Sequence, residues 1–384
     1  MARSKKTSRA RKVSKADGTA AGSAGATDVA GIVDKAHVLL AQSNFELAIK
    51  FLERALELEP TNLEARELAG VAELEGGDAE RGRAHLLHLF PPHAAEAPTL
   101  PAPYLYLAQV AQDPQEALGY YSTATAMVEN TLGGKGKSRA VADAAEVEEL
   151  TRMAVTAIVA MVEIWMSDLC FEEAASANCD ALIARALAIA PTDPEALMAL
   201  ASIRMSQSKF DEAKDVVMRV YAELEGRDPF DPLLPGLPVR LQFSRLLLEH
   251  NLQMEALDVL STVREEDSLE VEGAYLEGWA WHLRAEALVA DPTLLDKEKA
   301  ERGPPAEGED EDDDAPLSAD ECFSESLRCL LECAKLFGEQ DYPDQGIGAH
   351  LQELLNGLQA RGVQPAVAEE AAAGEGEDED VEMA

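Results

Sequence analysis

Between residues 28 and 362 the apolar positions recur at intervals of three and four, interrupted by glycine, proline or short polar turns. That period belongs to amphipathic helices. In NFELAIKFLERALELEPTN (44–62), Ala48, Leu52, Ala55 and Leu58 share one face, and Pro60 cannot extend the ladder behind them. CFEEAASANCDALIARALAIAPTDP (170–194) and KFDEAKDVV (209–217) follow the same rule. The pattern predicts helix after helix from Asp28 to about Arg361.

Aligned on itself, the helical stretch repeats. Counted from Val29, Ala36, Ala48, Ala55 and Pro60 take places eight, twenty, twenty-seven and thirty-two. Counts from Leu63 place Gly70 eighth and Gly82 twentieth, and counts from Pro194 place Ala201 eighth and Ala213 twentieth. From Leu237, Ser244 is eighth and Ala256 twentieth. Small residues at those two places let antiparallel helices cross closely, which is the 34-residue arithmetic of tetratricopeptide repeats. Other units are distorted: 103–126 has a shortened turn, and 148–190 is expected to carry a lengthened second helix before Pro191. A seventh pair starts at 271–292, resumes with CFSESLRCLLECAKLF (322–337) and is followed by a closing helix over 344–362. The expected fold is all-α: a tetratricopeptide-repeat superhelical solenoid of about seven helix pairs plus a C-terminal capping helix, over residues 28–362. Residues 1–27 are expected to be a disordered basic arm, about 297–318 a disordered acidic insertion, and 363–384 a disordered acidic tail.

Composition supports helices: 47% of the 384 residues are apolar and 5% aromatic. No stretch reaches eighteen apolar residues, and MARSKKTSRARKVSK lacks the apolar core of a secretory signal. Five cysteines without a CxxC pair read as buried small apolar residues and favour a reducing compartment. The formal charge of −39 changes the picture most. Residues 1–15, 291–321 and 366–384 carry +7, −10 and −8, and removing all three still leaves −28 on the rest. An acidic fold repels phosphates, so direct nucleic-acid binding by the solenoid is disfavoured and a basic partner favoured.

Catalytic and metal motifs fail on inspection. GGKGKS (133–138) ends like a phosphate loop, but Thr131 stands where the first glycine belongs and no buried strand precedes it. His85, His88 and His93 lack a completing carboxylate or cysteine. No enzyme, metal or cofactor is expected. A repeat array offers instead a groove lined by the first helix of each pair. Places two, five, nine, twelve and thirteen should face it: Glu64, Glu67 and Glu75; Glu163; Glu195, Met198 and Met205; Leu241, Arg245 and Glu249; Glu272, Tyr275, Trp279 and His282. Carboxylates beside aromatics suit an extended basic peptide, acids pairing the charges and rings holding the stems. A Lys/Asn clamp for an anionic peptide terminus is not present, since Val33, His37 and Glu67 occupy the matching places.

With these features the chain resembles the fungal assembly chaperones dedicated to the fourth protein of the large ribosomal subunit. The likeness covers about 28–362: the consecutive repeats, EGWAWHL in a late unit, the acidic insertion splitting that unit and the closing helix. The basic start and the acidic end GEGEDEDVEMA extend it to both termini. The resemblance implies a dedicated chaperone that holds the basic extended loop of the newly made ribosomal protein in its acidic groove. It implies escort from cytoplasm to nuclear pre-ribosomes, with import factor and pre-ribosome as further partners, no membrane and a monomeric state. The basic N-terminus reads as a nuclear-import or RNA-facing arm, or as a solubilising tail. Two rival readings are a tetratricopeptide-repeat histone chaperone, in which inserted acids would dominate, and a non-catalytic scaffold of a multiprotein complex.

Overall fold

A computed structural model describes residues 29–133, 144–231, 233–302 and 316–366. The basic arm, most of GGKGKS, the 303–315 part of the acidic insertion and the tail from 367 lie outside the described residues. Among the described residues every regular element is a helix. The chain divides into two compact units, 1–127 and 128–384.

The first unit begins with α1 (Val29–Ala41) and α2 (Phe45–Leu58), followed by α3 (Leu63–Gly76) and α4 (Ala79–Leu87). Next come α5 (Ala102–Gln109) and α6 (Pro114–Gly133), the last turns of α6 belonging to the second unit. Side chains start these helices where the sequence supplies a cap: Asn62 accepts from the Ala65 amide at 2.8 Å and Asp78 from that of Arg81 at 3.0 Å. The repeat's small residues do what their spacing predicts. Ala36, Ala48 and Ala55 are fully buried. A Cβ on Gly70 would lie 2.7 Å from Leu86, and one on Gly82 would lie 2.7 Å from Leu74, so α3 and α4 cross at a distance only glycine permits.

The second unit holds α7 (Ala144–Met166), α8 (Ala175–Ile189), α9 (Pro194–Ser206), α10 (Phe210–Leu224), α11 (Leu237–Glu249) and α12 (Gln253–Glu266). It is completed by α13 (Val271–Ala290), α14 (Thr293–Arg302), α15 (Ala319–Glu339) and α16 (Gln345–Arg361). First helices touch one another in series, α7 on α9, α9 on α11 and α11 on α13, forming an inner layer backed by the second helices. One continuous core runs from Leu197 to Leu358. Cys322, Cys329 and Cys333 are buried along one stripe of α15, as small apolar residues. The closing helix stops at Gly362, which adopts the left-handed conformation at φ 77°.

Three details differ from the sequence reading. The lengthened helix of the fourth pair is its first, the 23-residue α7, and not its second, the 15-residue α8. Helix also continues into the expected acidic insertion, since α14 ends at Arg302, and Ser318 and Glu321 form a capping box that starts α15. Finally, Val363–Ala366 stay against the fold, the Ala366 amide donating to the Ser324 carbonyl at 3.1 Å.

Candidate functional site: acids on the first helices

In the first unit, α3 presents Glu64 and Glu67 from its opening turns and Glu75 from its last. His37 of α1 reaches Glu64 at 3.3 Å, tying the two first helices together. Burial pushes the Glu67 carboxyl above the usual range, and neighbouring Glu64 pushes it further. Tyr106 of α5 shares this neighbourhood: burial raises its phenol, with Glu75 and Glu67 adding to the shift. Leu63, Glu67, Leu89, Leu100 and Pro103 line one cleft. Neither Glu67 nor Glu75 has an ion pair among the described residues.

In the second unit, Glu163 of α7 and Glu195 of α9 meet across a cleft walled by Val159, Met166, Pro238 and Val239. Thr156 donates its hydroxyl to Glu195 at 3.3 Å. Glu163 keeps contact with solvent, yet desolvation by the cleft walls raises its carboxyl above the ordinary value, and Glu195 raises it again. Glu195 is raised chiefly by desolvation, then by Asp193. Among the described residues neither carboxylate has a cationic partner in contact.

The C-terminal members of the expected groove are placed differently. Glu272 is only 16% exposed along its side chain and already pairs with Arg245 at 2.7 Å. Tyr275 is 7% exposed, with its hydroxyl hydrogen-bonded to His350 Nδ1 of α16 at 2.6 Å. Trp279 is half-buried between Tyr275 and the His350 ring, with centroids at 6.0 and 5.4 Å. His282 packs on Phe323 at 5.6 Å, and burial lowers its pKa. Met198 and Leu241 belong to the core, Met205 is half-buried at the end of α9, and Glu249 is exposed at the end of α11. Of the residues expected to line the groove, the acids of α3, α7 and α9 do lie along clefts of their units. Sequence reasoning put Tyr275 and His282 on an open surface, whereas α16 and α15 cover them, because the apolar faces of those two helices need a partner. It also missed Tyr106, Thr156 and the Val239–Pro238 wall. Thr156 and Val159 precede Glu163 by seven and four residues, a spacing that marks one helix face and was there to be found.

Stacked helix pairs with small residues at the crossings define a tetratricopeptide-repeat protein, and the tetratricopeptide-repeat family matches at residues 32–62. The likeness goes further. The chain is 30% identical over 261 residues to a probable assembly chaperone of rpl4 from Schizosaccharomyces pombe, across 68% of this chain and 69% of that one. It belongs to the family of rpl4 assembly chaperones. A probable assembly chaperone of rpl4 from Emericella nidulans is 33% identical over 188 residues, 49% of this chain and 46% of its own length. Among solved structures, residues 1–338 of an assembly chaperone of RpL4 (Acl4) superpose with a TM-score of 0.56 at 26% identity, covering 72% of this chain and all of that one. As a member of a chaperone family, the protein is non-catalytic.

Proposed function

We propose that this protein is a dedicated chaperone of the large-subunit ribosomal protein rpl4, binding a basic extended segment of it with the acids of its first helices. In this reading it keeps that segment soluble and, as a monomer, accompanies it from cytoplasm to nuclear pre-ribosomes. The observation that carries the reading is that each unit, by itself, presents unpaired carboxylates held above their ordinary pKa by desolvation, Glu67 in the first and Glu163 and Glu195 in the second. A desolvated carboxylate without a cation is costly, and an incoming Lys or Arg relieves the cost. Glu272 has that relief already from Arg245 and is not part of the open surface.

Recombinant full-length protein is expected to bind purified rpl4 about one to one, more weakly as salt rises. Charge reversal at all three positions, Glu67→Lys, Glu163→Lys and Glu195→Lys, is expected to weaken binding by at least about tenfold while circular dichroism stays helical. Unchanged affinity in that variant removes the acids from the site. Core histones in competition separate the dedicated reading from its rival: displacement of rpl4 at equal concentration would favour a general chaperone of basic proteins.

A further inference from the structure

The cleft between α7, α9 and α11 has two parts of different chemistry. Its walls carry the apolar side chains of Val159, Met166, Pro238 and Val239, with Ser167, Ser202 and Gln242 also on the lining. Its polar end holds Glu163 and Glu195, each raised by desolvation, with Glu195 adding to the shift on Glu163. Nearby cations are spoken for: Arg152, which acts on Glu195 only at a distance, is bonded to Glu149. Thr156 satisfies one oxygen of Glu195 and leaves the remaining lone pairs open. An apolar occupant would cover the carboxylates without pairing them, and an anion would be repelled. A small cation would leave the walls wet. Only a group with a long apolar stem and a positive head answers both parts.

We propose that this cleft is a pocket for one lysine or arginine side chain of the client, its stem along Val159 and Val239 and its charge between Glu163 and Glu195. The pocket rests on the reading that the first helices receive a basic segment, and adds a seat that fixes the segment's register. The chain shows the same pairing between two of its own first helices, where the Arg245 guanidinium of α11 sits on Glu272 of α13.

Stem length separates a pocket from a charged surface. Three Gly/Ser peptides of equal length and charge would be titrated into the full-length protein at pH 6: one with four lysines, one with four arginines, one with four 2,4-diaminobutyrates. Losing two methylenes from each lysine stem is expected to weaken binding about tenfold or more. Glu163→Gln/Glu195→Gln is expected to abolish that preference, whereas Glu272→Gln keeps it. Asp193 and Arg152 face the same site and are retained in every variant. Equal affinity for all three peptides, or a preference surviving in the double variant, overturns the pocket. Rpl4 binding measured alongside keeps the two readings apart: rpl4 bound without stem dependence sinks the pocket alone, while stem-dependent peptides without rpl4 binding sink the chaperone reading alone. Should the double variant lose helicity, Glu163→Gln alone, at a solvent-accessible position, carries the same comparison.

Discussion

Gly278 stands where α13 and α15 cross. A Cβ there would lie 2.7 Å from Leu330 and 3.2 Å from its backbone nitrogen, while the Gly278 carbonyl accepts a 2.8 Å bond from the Ser326 hydroxyl. Backbone cannot yield as a side-chain tip can, so Gly278→Ala is expected to cost about 1–3 kcal/mol, read as a lower thermal midpoint. Gly119 is the control. Nothing lies within 4 Å of its missing Cβ, and Gly119→Ala in mid-helix should stabilise by about 0.5–1 kcal/mol. A second residue-scale outcome concerns thiols: Cys170 is exposed and the other four cysteines are buried. A native thiol assay should therefore label one site, and a denatured one five. Burial strengthens the contrast by raising the Cys333 thiol to about 11 and Cys329 further still. At this scale the small residues at crossings were legible, because a 34-residue spacing leaves no other use for them. The exposure of Cys170 was not, because it depends on where a turn ends.

That turn shows how elements are set. Three intra-pair turns place a left-handed residue two positions before the second helix: Ser43 at φ 54°, Ser208 at 58° and Asn251 at 58°. Short polar residues tolerate that conformation, and Asn44 then caps α2 by accepting from the Leu47 amide. In CFEEAA the corresponding places hold Leu169 and Cys170, which suit neither role. The turn lengthens, Phe171 is left 99% exposed, and α8 starts at Ala175 without a side-chain cap. The apolar period was identical in both stretches, so periodicity alone located the helix and missed its start. At the other end of the unit, α16 lays Ile347, Leu351, Leu354 and Leu358 on the core and His350 on Tyr275 and Trp279. Truncation after Pro343 uncovers those rings. It should lower the thermal midpoint sharply and shift tryptophan emission to the red, whereas truncation after Ala366 should leave both unchanged. A truncation at 343 that melts like the full chain would make α16 an ornament rather than a cap.

Across the whole molecule, charge is allotted unevenly. Arginines bind acids within the scaffold: Arg81 with Glu73 at 2.8 Å, Arg204 with Asp180 at 2.6 Å, Arg264 with Glu332 at 2.5 Å, and Arg240 with Glu266. With 33 Lys and Arg against 72 acids, much of the negative charge is left without a cation. The sequence showed that excess but not which acids were spared, since pairing is decided between helices far apart in the chain. The consequence is a pH dependence with two opposite limbs. Glu67, Glu163, Glu195 and Glu272 have carboxyls raised above 4.5, so the folded state takes up protons before the unfolded chain does. Stability of the free protein should therefore rise as pH falls from 7 through those raised values toward 4.5. Below that, Asp180, held under 3.8 chiefly by its bond from Arg204, and Glu321, held under 4.5 by Ser318, resist protonation in the fold, and the trend reverses. Thermal midpoints between pH 3 and 7 should trace a maximum near the foot of the first limb, and Glu67→Gln/Glu163→Gln/Glu195→Gln should flatten that limb. Client affinity must move the other way over the same interval, because protonated Glu163 and Glu195 cannot pair a cation. A pH at which the fold is firmest is thus one at which its hold on a basic segment is weaker, and binding and melting measured on one sample series must diverge if the acids of the first helices are the site.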